Sequence, residues 1–222
     1  MAIQVKTQDN SSDQNHKTRV QLILDESGSM GSVREQTIDG INEYINGLLQ
    51  DHEQNGTEYM VSIVKFEGGN IVDLIQNTPV QDVEIFTEKD YTPCGMTNLN
   101  DAVGITIQKM RNDADLYRNL VVVMTDGIEN ASYEYTKASV KALIDEVENQ
   151  GWNVIFLGAD IDVQGEASSI GIKTSKMRSY DKSDISRTMR SMATSTVAYA
   201  SVTGSVAGYD DFFENEDWDT SA

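Results

Sequence analysis

Two short, nearly all-apolar runs constrain this fold more than any other feature: residues 20–24 (VQLIL) and 120–124 (LVVVM). Each is followed at once by a polar segment that carries an aspartate. Runs of this length and content read as strands covered on both faces, the situation of a parallel sheet sandwiched between helices. Residues 59–66, 71–75 and 154–157 are further strand candidates. Between them lie stretches whose apolar residues recur every three or four positions. These are Ile38, Ile41, Ile45 and Leu48; then Leu99, Ala102, Val103, Thr106 and Met110; then Val140, Leu143, Ile144 and Val147. Each would lay one stripe of a helix on the sheet. A short stretch at 163–170 and a longer one at 184–200, with Ile185, Met189, Met192, Thr196 and Tyr199 on one side, continue the pattern. The alternation predicts an α/β fold with a doubly wound, mostly parallel sheet and helices on both faces. Residues 67–70 are too few for a crossover, so 59–66 and 71–75 are expected to pair antiparallel at the sheet edge.

The 222 residues suit one domain at 19–203, preceded by a polar arm at 1–18 that could hold one short strand at 3–6. Residues 204–222 read as an acidic tail, where Asp210, Asp211, Glu214, Glu216, Asp217 and Asp219 alternate with Tyr209, Phe212, Phe213 and Trp218. Thirty-six acidic against 17 basic residues give a net charge of −19, which argues against nucleic acid or an anionic membrane as a partner. Two histidines and one cysteine, Cys94, supply neither a zinc-ligand spacing nor an internal disulfide. No apolar run approaches the roughly 20 residues of a membrane span, and residues 1–15 lack the apolar stretch of a secretion signal. A cytoplasmic location is expected.

The chemistry collects at the carboxyl ends of the two most apolar strands. Residues 20–24 run into Asp25-Glu26-Ser27-Gly28-Ser29-Met30-Gly31, and 120–124 into Thr125-Asp126-Gly127. Ligands of open α/β sheets sit outside the carboxyl ends of strands where the strand order reverses, so Asp25 and Asp126 would face one crevice if their strands flank that reversal. The loop Thr92-Pro93-Cys94-Gly95-Met96-Thr97-Asn98 could bring Thr97 there as well. Two carboxylates and several hydroxyls, with no imidazole or thiolate, suit a hard divalent cation, Mg²⁺ first, with Mn²⁺ or Ca²⁺ as alternatives. Taken singly, each segment has a plainer explanation: Ser29 as the cap of a helix starting near Gly31, and Asp126-Gly127 as a turn before another cap.

At these residues the chain resembles the von Willebrand factor A domain family, whose metal-ion-dependent adhesion site is written Asp-x-Ser-x-Ser, then Thr, then Asp on three loops. Asp25, Ser27, Ser29, Thr97 and Asp126 match without a departure. The resemblance covers about residues 19–200 and implies a Rossmann-like sheet with one antiparallel edge strand. The stretches 126–132 and 151–159 look most like small intracellular stand-alone members from bacteria and their phages. By resemblance, Ser27, Ser29 and Thr97 would ligate the ion, and Asp25 and Asp126 would bind it directly or through water. One position would stay open to an Asp or Glu of a protein partner. Glu26 and Glu129 are close enough in sequence to tune such a site or meet the partner, the plainer reading being solvated loop carboxylates. The tail offers a further partner surface, in which Phe212, Phe213 or Trp218 would pack beside the metal site of another copy while a tail carboxylate reaches the ion. A solvated tail is the simpler alternative.

An enzyme is the competing class. An Asp after the first strand of an α/β fold can accept a phosphoryl group with Mg²⁺, as in the haloacid-dehalogenase family, but that chemistry needs a second Asp two residues on, where this chain has Ser27. A scaffold protein in which the metal is incidental is the third class.

Overall fold

A computed structural model describes residues 17–159, 161–202, 209, 212 and 213. Among these residues are six strands and five α-helices. They are β1 (Thr18–Asp25), α1 (Arg34–Asn55), β2 (Tyr59–Glu67), β3 (Asn70–Pro79), α2 (Leu99–Met110), β4 (Arg118–Thr125), α3 (Lys137–Asn149), β5 (Asn153–Gly158), α4 (Ile161–Ser169), β6 (Met177–Ser179) and α5 (Ile185–Ser201). The sheet order is β3-β2-β1-β4-β5-β6. Every pairing is parallel except β2 with β3, which is the antiparallel edge hairpin that the short 67–70 connection requires.

The two nearly all-apolar runs lie in the central strands, which are covered on both faces. In β1, Leu22 and Leu24 face one core and Ile23 the other; in β4, Leu120, Val122 and Met124 alternate in the same way with Val121 and Val123. The first core is closed by the stripe Ile38, Ile41, Ile45 and Leu48 of α1 and by Ile185, Met189 and Met192 of α5. The second is closed by α2, α3 and residues 167 and 170 at the end of α4 and just beyond it. Each fully buried aliphatic side chain contributes about 1.5–3 kcal/mol through removal from water. Helix α5 lies close on α1, since a Cβ at Gly40 would stand 2.9 Å from Ile185 Cγ2 and one at Gly47 would stand 2.7 Å from Ala193 Cβ.

Local signals mark the end of α1 and the start of α3. Gly56 closes α1 with φ 74°, its N–H donating to the His52 carbonyl, and Thr136 with Ser139 forms a capping box on α3. Ser29 caps nothing, because residues 28–33 form a 3₁₀ turn before α1 and no side-chain cap bond is made. Nor does a helix follow Asp126-Gly127 closely, since α3 begins at Lys137. The edge strand β6 went unread in the sequence because only Met177 of its three residues is buried.

Two of the tail aromatics are placed differently from the sequence expectation. Phe212 and Phe213, 1 % and 3 % exposed, belong to the core under α1 and α5. Their rings meet edge to face at 5.1 Å, Phe212 packs on Tyr199 and the Arg178 guanidinium covers the Phe213 ring at 4.1 Å. Two side chains offered to a second copy are thus covered by their own domain, because α5 ends beside an apolar surface that they complete. Trp218, the tail carboxylates and the arm up to residue 16, including the candidate strand at 3–6, lie outside the described residues. Among the described residues no helix is long and apolar enough to cross a membrane.

Candidate metal centre

The strand order reverses between β1 and β4: β2 and β3 extend the sheet on one side of β1, while β4 to β6 extend it on the other. Leu24 pairs with Met124 in the register, so both polar segments leave the sheet at the same level. Asp25, fully buried at the end of β1, is held by two donors. The Ser27 N–H reaches its Oδ1 at 2.7 Å and the Thr125 hydroxyl its Oδ2 at 2.5 Å. Burial pushes this carboxyl above its ordinary value; those hydrogen bonds oppose the shift and the nearby Asp126 charge adds to it. A buried carboxylate with a second one beside it is a site in need of positive charge.

The hydroxyls continue the chain of contacts. Ser27 Oγ and Ser29 Oγ are 3.2 Å apart, and Ser29 Oγ donates to Asp126 Oδ1 at 2.5 Å. Thr97 enters from the loop before α2, clamped to the loop after β4: its N–H donates to Asn130 Oδ1 and its carbonyl accepts from the Asn130 N–H, both at 2.9 Å. A Cβ built on Gly127 would lie 2.8 Å from Thr97 Oγ1 and 3.6 Å from Asp25 Oδ2, so both atoms border the same small space that Gly127 leaves open. All five sequence-designated oxygen side chains therefore converge on one crevice at the switch point.

The donor set fits a hard cation. Its ligand atoms are oxygens, and among the described residues no group of three or more His, Cys, Asp or Glu side chains is gathered as a metal site. The set is two carboxylates with three hydroxyls, all oxygen and low in charge, as hard divalent cations take. A cation already stands in the crevice, as Lys182 Nζ lies 2.7 Å from Asp126 Oδ2. Beside Thr97, the fully buried Asn98 amide has no hydrogen-bond partner on either atom.

Glu26 and Glu129 are engaged in the fold. Glu26 is 4 % exposed, ion-paired with Lys65 at 2.9 Å and bonded to the Thr92 N–H and hydroxyl, which ties the 87–95 loop to β2. Glu129 accepts from the N–H groups of Asn100, Ala131 and Ser132 and from the Ser132 hydroxyl, so it caps α2 and shapes the loop after β4. Neither presents a free carboxylate to a partner, and neither is merely solvated. Cys94 is exposed, with its N–H on the Glu26 carbonyl. Sequence reasoning missed Thr125, Asn130 and Lys182. Thr125 was visible in the Thr-Asp-Gly run, whereas nothing local marks Lys182.

A doubly wound α/β domain with an Asp-x-Ser-x-Ser, Thr, Asp crevice at its switch point defines a class, and the sequence comparison agrees with it. Residues 20–194 match the von Willebrand factor type A domain, and the chain belongs to that family. No curated protein matches the chain in sequence. Solved structures share the fold at low identity. The vWF domain of the type V pili tip protein Mfa5 from Porphyromonas gingivalis has a TM-score of 0.67 at 11 % identity, over 86 % of this chain and 98 % of that one. Manganese-loaded TRAP protein from Plasmodium vivax has 0.53 at 19 %, over 78 % and 72 %. Proximal thread matrix protein 1 from the mussel byssus has 0.56 at 16 %, over 79 % of this chain; the chain spans about half, 46 %, of that protein's length.

Proposed function

We propose that this domain is a metal-dependent protein–protein interaction module and not an enzyme. Ser27, Ser29 and Thr97 serve as direct oxygen ligands of a divalent cation, Mg²⁺ by preference with Mn²⁺ or Ca²⁺ as alternatives. Asp25 and Asp126 bind it directly or through water and orient the hydroxyls. The bound ion supplies an electrophilic position for an Asp or Glu of the partner, since few protein charges satisfy it. The observation that carries this reading is the convergence of the five side chains, from three separate loops, on a crevice whose Asp126 already holds an ammonium.

The rim supports a binding role. Of the six large hydrophobic side chains most exposed among the described residues, Met96, Ile128 and Tyr133 stand on the loops that build the crevice. Such residues around an ion suit an acidic partner side chain flanked by apolar ones. The manganese in the TRAP structure and the pilus setting of Mfa5 are properties of those proteins that agree with the proposal. The unpaired Cys94 and the likeness of 126–132 to small stand-alone bacterial and phage members support a cytoplasmic setting. Ser27 stands where phosphoryl transfer of the haloacid-dehalogenase kind requires its acid–base Asp, which speaks against that chemistry.

The test is calorimetric titration with Mn²⁺ and Mg²⁺ of wild type and Asp126→Ala, followed by pull-downs of wild type and Asp25→Ala in Mg²⁺ and in EDTA. The proposal expects metal binding lost in Asp126→Ala and partners captured only by metal-loaded wild type. Equal metal binding by Asp126→Ala, or phosphate release from generic monoesters above background, would overturn it.

A further inference from the structure

The loop between β6 and α5 places a lysine on the crevice, and its position is built. Tyr180 donates its N–H to the Gly158 carbonyl at 2.9 Å, and its hydroxyl lies 3.8 Å from Met30 Sδ. Asp181 takes the Ser183 N–H at 2.8 Å and the Ser183 hydroxyl at 2.7 Å, and the Asp184 N–H closes the turn on the Asp181 carbonyl at 2.9 Å. With Asp181 occupied by Ser183, the Lys182 ammonium is free to pair with Asp126. The pair is lopsided: the Asp126 side chain is fully buried, while 42 % of the Lys182 side chain faces solvent. The lysine therefore reaches from solvent onto the buried carboxylate, with its ammonium on Asp126 Oδ2.

We propose that Lys182 is a second anchor for the partner's carboxylate, which weakens metal binding and strengthens anion binding at the same site. This rests on the metal-dependent reading above. The reason is charge. Asp25 and Asp126 alone would be neutralised by a divalent ion. Counting only the two aspartates, the ion and Lys182, the loaded crevice carries one net positive charge; Glu26 is paired with Lys65, while Glu129 keeps its charge on the donors at the start of α2 and in the loop after β4. A positive ion entering beside an ammonium is repelled, and a carboxylate arriving afterwards meets two cations. Ser29 bonds Asp126 through Oδ1 and Lys182 through Oδ2, so the lysine can neutralise Asp126 without displacing the hydroxyl.

The experiment uses the full chain with Lys182→Met and Lys182→Arg. Mn²⁺ affinity is read by calorimetry, and acetate affinity for the Mn²⁺-loaded protein by water-proton relaxation, with chloride at matched ionic strength as the control. Lys182→Met should bind Mn²⁺ about five-fold more tightly and acetate about five-fold more weakly, as expected for one partly exposed charge. Lys182→Arg should stay near wild type on both. A Met variant in which either affinity is unchanged overturns the inference while leaving the metal site standing. A wild type that binds no Mn²⁺ fails on the metal reading itself and takes the inference with it. Near-ultraviolet circular dichroism checks that each variant is folded.

Discussion

Replacing Gly127 by alanine probes the crevice without replacing a proposed ligand. The new methyl group would stand 2.8 Å from Thr97 Oγ1 and 3.6 Å from Asp25 Oδ2, and the first contact is too short to persist. Something must yield, and the backbones resist. Thr97 is clamped by two bonds to Asn130, while Gly127 donates its N–H to Thr125 Oγ1 at 3.0 Å. Rotation of the Thr97 hydroxyl out of the crevice is the smallest adjustment. Disturbing the shell of a metal site in this way typically costs about 10- to 100-fold in affinity, or about 1.4–2.7 kcal/mol. At about 2–4 °C per kcal/mol for a domain of this size, the rise in Tm that saturating Mn²⁺ gives should shrink by about 3–11 °C. Paired melts in Mn²⁺ and in EDTA separate this from overpacking strain, which alone lowers the EDTA melt by an amount equivalent to about 1–3 kcal/mol. Unchanged Mn²⁺ affinity in calorimetry, with an unchanged metal-induced shift, would refute the reasoning, because Thr97 and Asp25 would then not share one ion.

Phe212→Ala should cost about 3–5 kcal/mol in chemical denaturation, as for a ring deleted from a core; a loss near zero would mean that this ring does not complete the first core. Asp51 supplies a pH dependence. Its burial raises the carboxyl, but hydrogen bonds from Thr57, Tyr59 and Asn55 outweigh that and hold it below its ordinary value. A lowered value in the folded chain means that the ionised group stabilises the fold above the unfolded value of about 3.9, and that this contribution is lost as pH falls through the folded value. Wild type should therefore lose more stability than Asp51→Asn between about pH 6 and pH 3, and parallel curves would refute the assignment. Lys65→Met leaves Glu26 buried without its cation and should destabilise the fold by about 3–5 kcal/mol; a loss within experimental error in denaturant melts would contradict that account.

What the sequence determined by itself is local. Residues 20–24 and 120–124 announce double-sided burial through composition alone, and the spacing of Ile38, Ile41, Ile45 and Leu48 announces a helix, because apolar periodicity is written within one element. Asp25, Ser27 and Ser29 lie within five residues, so their shared direction was legible before any fold was known. Thr97 and Asp126 were legible only through a family pattern, since the strand order that joins them is a property of the whole sheet. Tertiary structure alone decided the rest. Glu26 looked solvated until pairing of β1 with β2 set Asp25 beside Phe66 and brought Lys65 within reach. Phe212 and Phe213 looked like a tail's free surface until α5 ended beside an uncovered part of the core. Lys182 lies 56 residues from Asp126, and only the passage through β5 and β6 returns it to the crevice. A charge carries no period and names no partner in sequence. Its partner is fixed by which loops the sheet order brings together, and by the cost of burying a carboxylate unpaired.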